Sequence, residues 1–410
     1  MDLFNIIAVL MTLAALFGYI NYRYIKLPTT IGVMLIALLC SIGLIILSKF
    51  GMHLEDRVET LLKSVDFSDT LMHGMLSFLL FAGALHVNLA DLARQKWTIG
   101  SLATLSVVVS TLVVGFSSWA VLGWLGVDLP MIYCLLFGAL ISPTDPIAVL
   151  GVLKTARAPK SLETKITGES LFNDGVGVVV FIVLLDIAKG GHDVSVGDIA
   201  LLFAEEAIGG IVFGLVIGSF AYRLLKNVDN YQVEILITLA LVTGGYALAG
   251  VIHVSGPIAI VIAGLLIGNH GRLMAMSDTT REHLDTFWEL VDEIMNAILF
   301  VLIGLEVLVL TFTEQYLIAA LVLIPLVLAA RFVSVALPIS VFGRFRRFTP
   351  GTIKIMTWGG LRGGISVALA LSLPTGPERE AVLTMTYAIV VFSILVQGLT
   401  IEKLIRANRV

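Results

Sequence analysis

Residues Gly168-Glu169-Ser170-Leu171-Phe172-Asn173-Asp174-Gly175 open a run that then turns wholly apolar. On a helix, Ser170 and Asp174 are four positions apart and about 40° from each other, so a hydroxyl and a carboxylate share one face. Asn173 stands next to them, able to donate a hydrogen bond to Asp174 but unable to carry a proton of its own. Such oxygens suit a hard monovalent cation such as Na+, with freed backbone carbonyls around Thr144 as further ligands. The same carboxylate can bind a proton instead. A site that holds a cation or a proton, but not both, contains the minimal chemistry of exchange. The plainer reading of Asp174 is a structural carboxylate bonded to a neighbouring helix.

Glu169 lies about 140° round the helix from Asp174, so it must face something else. A buried carboxylate turned away from the site needs a cation, and the expected partner is Arg362. Glu289, Asp292 and Glu293 form a further acidic group, read either as a funnel that gathers cations or as a solvated helix start. His86 and His253 sit near span ends and are read as interfacial.

Two breaks interrupt the spans that carry these charges. Ile141-Ser142-Pro143-Thr144-Asp145-Pro146 places two prolines around a Thr-Asp pair, and each proline removes a donor and clashes with the preceding turn. Gly359-Gly360-Leu361-Arg362-Gly363-Gly364 is the second break. Unwound backbone at membrane depth survives only where protein or a water-filled cavity covers it. Asp145 and Arg362 lie 217 positions apart, close to the 228 between the starts of the first and eighth apolar segments at 3 and 231. Paired interruptions in corresponding halves point to the midplane site of a secondary transporter.

The elements that must position these residues are membrane helices. Of 410 residues, 58% are hydrophobic and 14% charged, well short of the roughly 25% charge of a soluble globule. Apolar runs are read at 3–21, 28–48, 71–90, 97–125, 130–153, 162–188, 198–224, 231–250, 255–269, 287–311, 315–341, 351–373 and 381–402, about 13 spans in all. The first is expected to be an uncleaved span. Nineteen of the 26 Lys and Arg fall on one side of this arrangement, and five (Lys49, Arg57, Lys63, Lys189 and Arg379) on the other, with Arg331 and Arg362 inside spans. Short cytoplasmic loops hold most of the basic residues, so the N-terminus is expected outside and the C-terminus in the cytoplasm. The expected organisation is a first inverted repeat at 1–188, a linker helix at 189–230, a second repeat at 231–402 and a short tail at 403–410. Cys40 and Cys134 sit in apolar runs and read as small core hydrophobes. The net charge of −4 gives no sign of a nucleic-acid partner.

At these residues the chain resembles the monovalent cation:proton antiporters, and within them the NhaP-type and Na+/H+ exchanger branch. The stretches that carry the resemblance are SPTDPIAVL (142–150), GESLFNDGVGVVVF (168–181), NAILFVLIGLEV (296–307) and GGLRGGISVALALSLP (359–374). The resemblance implies an all-α polytopic membrane protein with the NhaA-like antiporter fold: two inverted six-helix repeats with two broken crossing helices. It implies that Asp174 binds the cation and the proton, that Ser170 and Thr144 are ligands, and that Asn173 orients the site. Asp145 would balance helix dipole ends, and Glu169 with Arg362 would form a structural ion pair. The Asn173-Asp174 pair implies one-for-one, electroneutral exchange. Arg331 fits an Ala-Arg pattern of the family and is read either as a partner of Glu306 or as a cytoplasm-facing snorkel. Ala82 stands where some relatives carry an acidic residue on the third span. A homodimer in the cell (inner) membrane is implied.

The leading expectation is therefore a Na+ or Li+ antiporter against H+, with no cofactor and no enzymatic activity. The alternative on the same scaffold is K+/H+ exchange. An ion channel would need a repeated filter or ring of carbonyls, and an intramembrane enzyme a nucleophile-base pair. No intramembrane His accompanies Ser170, and the Thr-Asp break occurs once.

Overall fold

The computed structural model describes residues 3–50, 74–146, 149–150, 153, 159–190, 196–271, 277–310, 313–344 and 348–407. The start of the third expected span at 71–73 lies outside the described residues, as do Arg57, Lys63, Lys154, Arg157, Arg272, Arg346, Arg347 and Arg409.

The described residues form helices and no strand. In order they are α1 (Leu3–Ile20), α2 (Thr29–Lys49), α3 (Leu76–Leu85), α4 (Leu89–Arg94), α5 (Lys96–Ala103), α6 (Leu105–Trp124), α7 (Met131–Ile141) and α8 (Lys160–Ala188). They continue as α9 (Val196–Leu225), α10 (Tyr231–Val251), α11 (Gly256–Leu266), α12 (Asp278–Glu306), α13 (Glu314–Gly343), α14 (Thr352–Trp358), α15 (Gly364–Leu371), α16 (Pro377–Phe392) and α17 (Gly398–Ala407). Wide π turns follow α1, α11 and α16. Among the described residues, eight helices are long and apolar enough to cross a membrane, and α3, α7 and α11 are shorter apolar helices.

Local chemistry fixes several of the starts. The side chain of Asn88 accepts from Ala90 N and Asp91 N to cap α4, and Asn230 does the same for α10. Ser255 caps α11 and Ser277 caps α12, each satisfying a donor that the first turn leaves orphaned.

In lipid the driving force for helix association is close packing, so small residues mark the contacts. Gly210, Gly214 and Gly218 form a stripe on α9 against Ser255, Ala259 and Ala263 of α11; a Cβ on Gly214 would come within 2.4 Å of the Ala259 carbonyl. The opposite face of α9 exposes Leu201, Ile208, Val212, Val216 and Phe220, the surface expected to meet acyl chains. One apolar core gathers around α2, α7 and the C-terminal half of α12; a second gathers α3, α10 and α11 around Trp288. Cys134 is buried on α7, but Cys40 is exposed on α2, so only the first belongs to the core as expected.

Both expected breaks are present. Helix α7 stops at Ile141 and the chain runs without helix through Pro146, while Gly359–Gly363 separates α14 from α15. The two unwound stretches cross and are joined by an antiparallel bridge in which Asp145 N donates to Leu361 O at 2.8 Å. The bridge satisfies backbone that neither helix can use.

Candidate functional site

Helix α8 lies against α7, α15 and α11, which brings its polar first half to the crossing. The Thr144 side chain anchors the unwound chain to this helix. Thr144 Oγ1 lies 3.1 Å from Ser170 Oγ, Asn173 Nδ2 donates to Thr144 Oγ1 at 2.9 Å, and Thr144 N donates to Asn173 Oδ1 at 3.4 Å. Asn173 therefore holds the break in place and does not donate to Asp174. The reason is angular, because adjacent residues on a helix point about 100° apart. Gly177, one turn further on, permits the approach: a Cβ there would meet the Pro143 ring at 2.3 Å.

Asp174 and Ser170 share a face, as the spacing required, and both line a cavity of about 1040 Å³ together with Thr144 and Asp145. Asp174 is 9% exposed. Among the described residues no cation pairs with its carboxylate, and Asp145 lies within electrostatic reach of it. The Asp145 side chain packs against Gly363 at the start of α15, where a Cβ would come within 2.6 Å of Asp145 Oδ2. Ala82 also lines the cavity, so the third-helix position faces the site without a carboxylate. Glu289, Asp292 and Glu293 line the same cavity.

The pairing expected for Glu169 is corrected. Its partner is Arg331 of α13, not Arg362: Arg331 Nη1 meets Glu169 Oε1 at 2.5 Å and Nη2 meets Oε2 at 2.9 Å. Arg331 Nη2 also donates to Met356 O at 3.3 Å. The glycine break makes room, since a Cβ on Gly360 would come within 2.6 Å of Arg331 Nε. Arg331 is 4% exposed, so it neither snorkels nor pairs with Glu306, whose nearby positive charge is Arg379. Helical geometry gave the direction in which Glu169 points, but not which helix lies there.

Arg362 does different work. Its Nη1 donates to Ser142 O at 2.5 Å and to Pro143 O at 3.0 Å, carbonyls left unpaired where α7 ends. A cation at a helix C-terminus also meets the negative end of its dipole.

Residues not singled out from sequence complete the arrangement. Ser393 Oγ accepts from Arg362 N at 2.9 Å and Gln397 Nε2 donates to Trp358 O at 2.9 Å, so the π turn after α16 satisfies both sides of the second break. The available signal was a polar pair four apart in an apolar span. Asn296, only 2% exposed, lines the cavity from α12 one turn after Asp292.

Comparisons with known proteins bear on the family and the fold. Residues 11–407 match the model of the family described as sodium/hydrogen exchanger, transmembrane. The chain is 54% identical over 407 residues to the Na(+)/H(+) antiporter NhaP of Pseudomonas aeruginosa, covering 98% of this chain and 96% of that protein. It is 35% identical to the Na(+)/H(+) antiporter NhaH of Halobacillus dabanensis, covering 94% and 93%. The fold matches the sodium proton antiporter MjNhaP1 of Methanocaldococcus jannaschii with a TM-score of 0.77, over 100% of this chain and 99% of that one, at 20% identity. This chain belongs to the sodium/hydrogen exchanger family of transmembrane proteins.

Proposed function

We propose that this protein is a secondary active antiporter that exchanges Na+ or Li+ for H+ by alternating access. The observation that carries the reading is Asp174: a buried carboxylate with no cationic partner among the described residues, facing a large cavity beside the Ser170 hydroxyl and the unwound Thr144 backbone. Cation and proton compete for that carboxylate. The relatives named as Na(+)/H(+) antiporters along nearly the whole chain support Na+ as the substrate.

Exchange is one-for-one. Asn173 carries no proton, Glu169 is held by Arg331, and Asp145 is packed against Gly363 at the start of α15, which leaves Asp174 as the carboxylate that exchanges. Thr144 and Ser170 are the further ligands, and the crossing held by Arg362 is the part whose helix ends the carrier cycle must preserve. The chain is organised as two inverted repeats, 1–188 and 231–402, joined by the linker 189–230. It works as a homodimer in the cell membrane with its C-terminus in the cytoplasm, the side to which the basic loops assign the cavity lined by Lys26 and Lys160.

Purified protein in liposomes with an internal pH dye tests the function directly. Addition of Na+ or Li+ must dissipate an imposed proton gradient, and choline must not. A response to K+ alone would replace the reading with K+/H+ exchange, and current without coupling to protons would replace it with a channel.

A further inference from the structure

The π turn after α1 holds an exposed cation at the rim of the cavity. Lys26 caps that turn with φ 61° and ψ 30°, in the left-handed region, and its N–H donates to Asn21 O at 2.7 Å. Side chains of L-residues are disfavoured there, and helix ends that need this conformation usually carry Gly or Asn. Here a buried side chain enforces it. Asn21 is 4% exposed, its Nδ2 donates to Leu27 O at 2.9 Å, and its Oδ1 accepts from Leu27 N at 3.2 Å. Gly32 of α2 leaves the space that this amide fills. Leu27 is thus held by both of its backbone groups, and the residue before it takes the strained conformation. Strain of this kind, found beside a site, points to a role for the residue that bears it.

The charge balance of the cavity gives the placement its consequence. Among the described residues eight carboxylates line the cavity against two lysines, Lys26 and Lys160. Lys160 is simply the first residue of α8, whereas Lys26 is fixed by its turn. No carboxylate among the described residues forms an ion pair with Lys26, so its charge is not cancelled locally. A cleft of net negative sign concentrates every cation, and a divalent one more steeply, because energy in a fixed potential scales with valence. A divalent ion gathered there would obstruct the way to Asp174. A positive charge fixed at the rim opposes this, repelling a divalent cation twice as strongly as Na+.

We propose that Lys26 is a specificity-determining residue, a tethered positive charge that keeps divalent cations out of the acidic cavity at a small loss of Na+ affinity. It touches neither the cation nor the proton and acts through the potential at the rim. The inference deepens the antiport reading and rests on it for the identity of the carried ion, but not for the exclusion itself. One unit charge acting across about 8 Å of water changes the occupancy of a monovalent ion about twofold and that of a divalent ion about fourfold, the square.

Removing the charge must move two affinities by linked amounts. The midpoints at which Na+ and Mg2+ shift the melting temperature of the purified full-length protein, with choline holding ionic strength constant, must fall about twofold and about fourfold in Lys26→Gln. Lys26→Gly must do the same although it relaxes the turn, which separates the charge from the backbone, and Lys26→Arg must match the parent. The differences must vanish in about 1 M choline chloride, where charges are screened within about 3 Å. In liposomes, Mg2+ must block Na+-driven proton flux by Lys26→Gln at about a quarter of the concentration the parent requires. Equal factors for the two cations, no Mg2+ response in Lys26→Gln, a change shared by Lys26→Arg, or a gap that survives high salt overturns the proposal. Linked shifts in a protein that moves no cation would instead keep the charge's role and remove the antiport reading.

Discussion

Arg331 grips Glu169 with both arms of its guanidinium, at 2.5 and 2.9 Å, and ties α13 to the helix that carries Asp174. Arg362, the other arginine inside the spans, takes backbone carbonyls instead. One cation holds helix to helix and the other holds the unwound chain, which leaves Asp174 without a basic partner among the described residues. Planar, bidentate geometry is what an arginine supplies and a lysine does not.

Glu169→Gln and Arg331→Met should each leave an unpaired buried charge and destabilise the fold by roughly 3–5 kcal/mol. The double variant should recover part of that loss. Melting temperatures of the four proteins in one detergent give the coupling. Glu169→Gln that melts like the parent but does not transport would make Glu169 a transport residue.

Arg362→Gln should lower transport more than it lowers the melting temperature, because it frees the Ser142 and Pro143 carbonyls at the crossing while the surrounding helices stay packed. Arg362→Lys should rescue part of the flux, having the charge but not the fork. Equal flux from Gln and Lys would mean that the charge does not matter there.

Asp174→Asn should abolish Na+-dependent proton flux and still yield a folded, membrane-inserted protein, since the carboxylate has no ion-pair partner to lose among the described residues. Retained flux in reconstituted vesicles would falsify the assignment of Asp174.

One exchangeable proton per cation moves no net charge. A clamped membrane potential of either sign should therefore leave the rate unchanged, and a rate that climbs with inside-negative potential would put a second proton on Asp145 first. Competition for one carboxylate sets the pH dependence. Below the Asp174 pKa the proton is already bound, so apparent Na+ affinity should fall about tenfold for each unit of pH, and above it become constant. Initial rates against Na+ at a series of pH values check both limbs.

Gly177→Ala should displace Pro143, whose ring is too stiff to yield to a Cβ at 2.3 Å. The expected cost is about 1–3 kcal/mol of overpacking, with a loss of transport larger than that of a control Gly244→Ala, where nothing lies within 4 Å.

Much of this protein is written in its sequence because the bilayer is a severe solvent. Long apolar runs have one stable form there, the helix, and Pro143, Pro146 and the glycines at 359–364 can only interrupt it. The helical repeat likewise placed Ser170 beside Asp174 and turned Glu169 away from both. Which partner waits at the end of each direction is a long-range matter that periodicity does not encode. Only the packing of α13 on α14 delivered Arg331 to Glu169, and only the crossing of the two breaks gave Arg362 its carbonyls. Asn173 was read toward Asp174 from its place in the chain, yet bonds to Thr144 because the unwound segment passes on that side. Ser393 and Gln397, not singled out in the sequence, reach the second break only through the π turn after α16. Local geometry decides which way a side chain points, and tertiary packing decides what it meets.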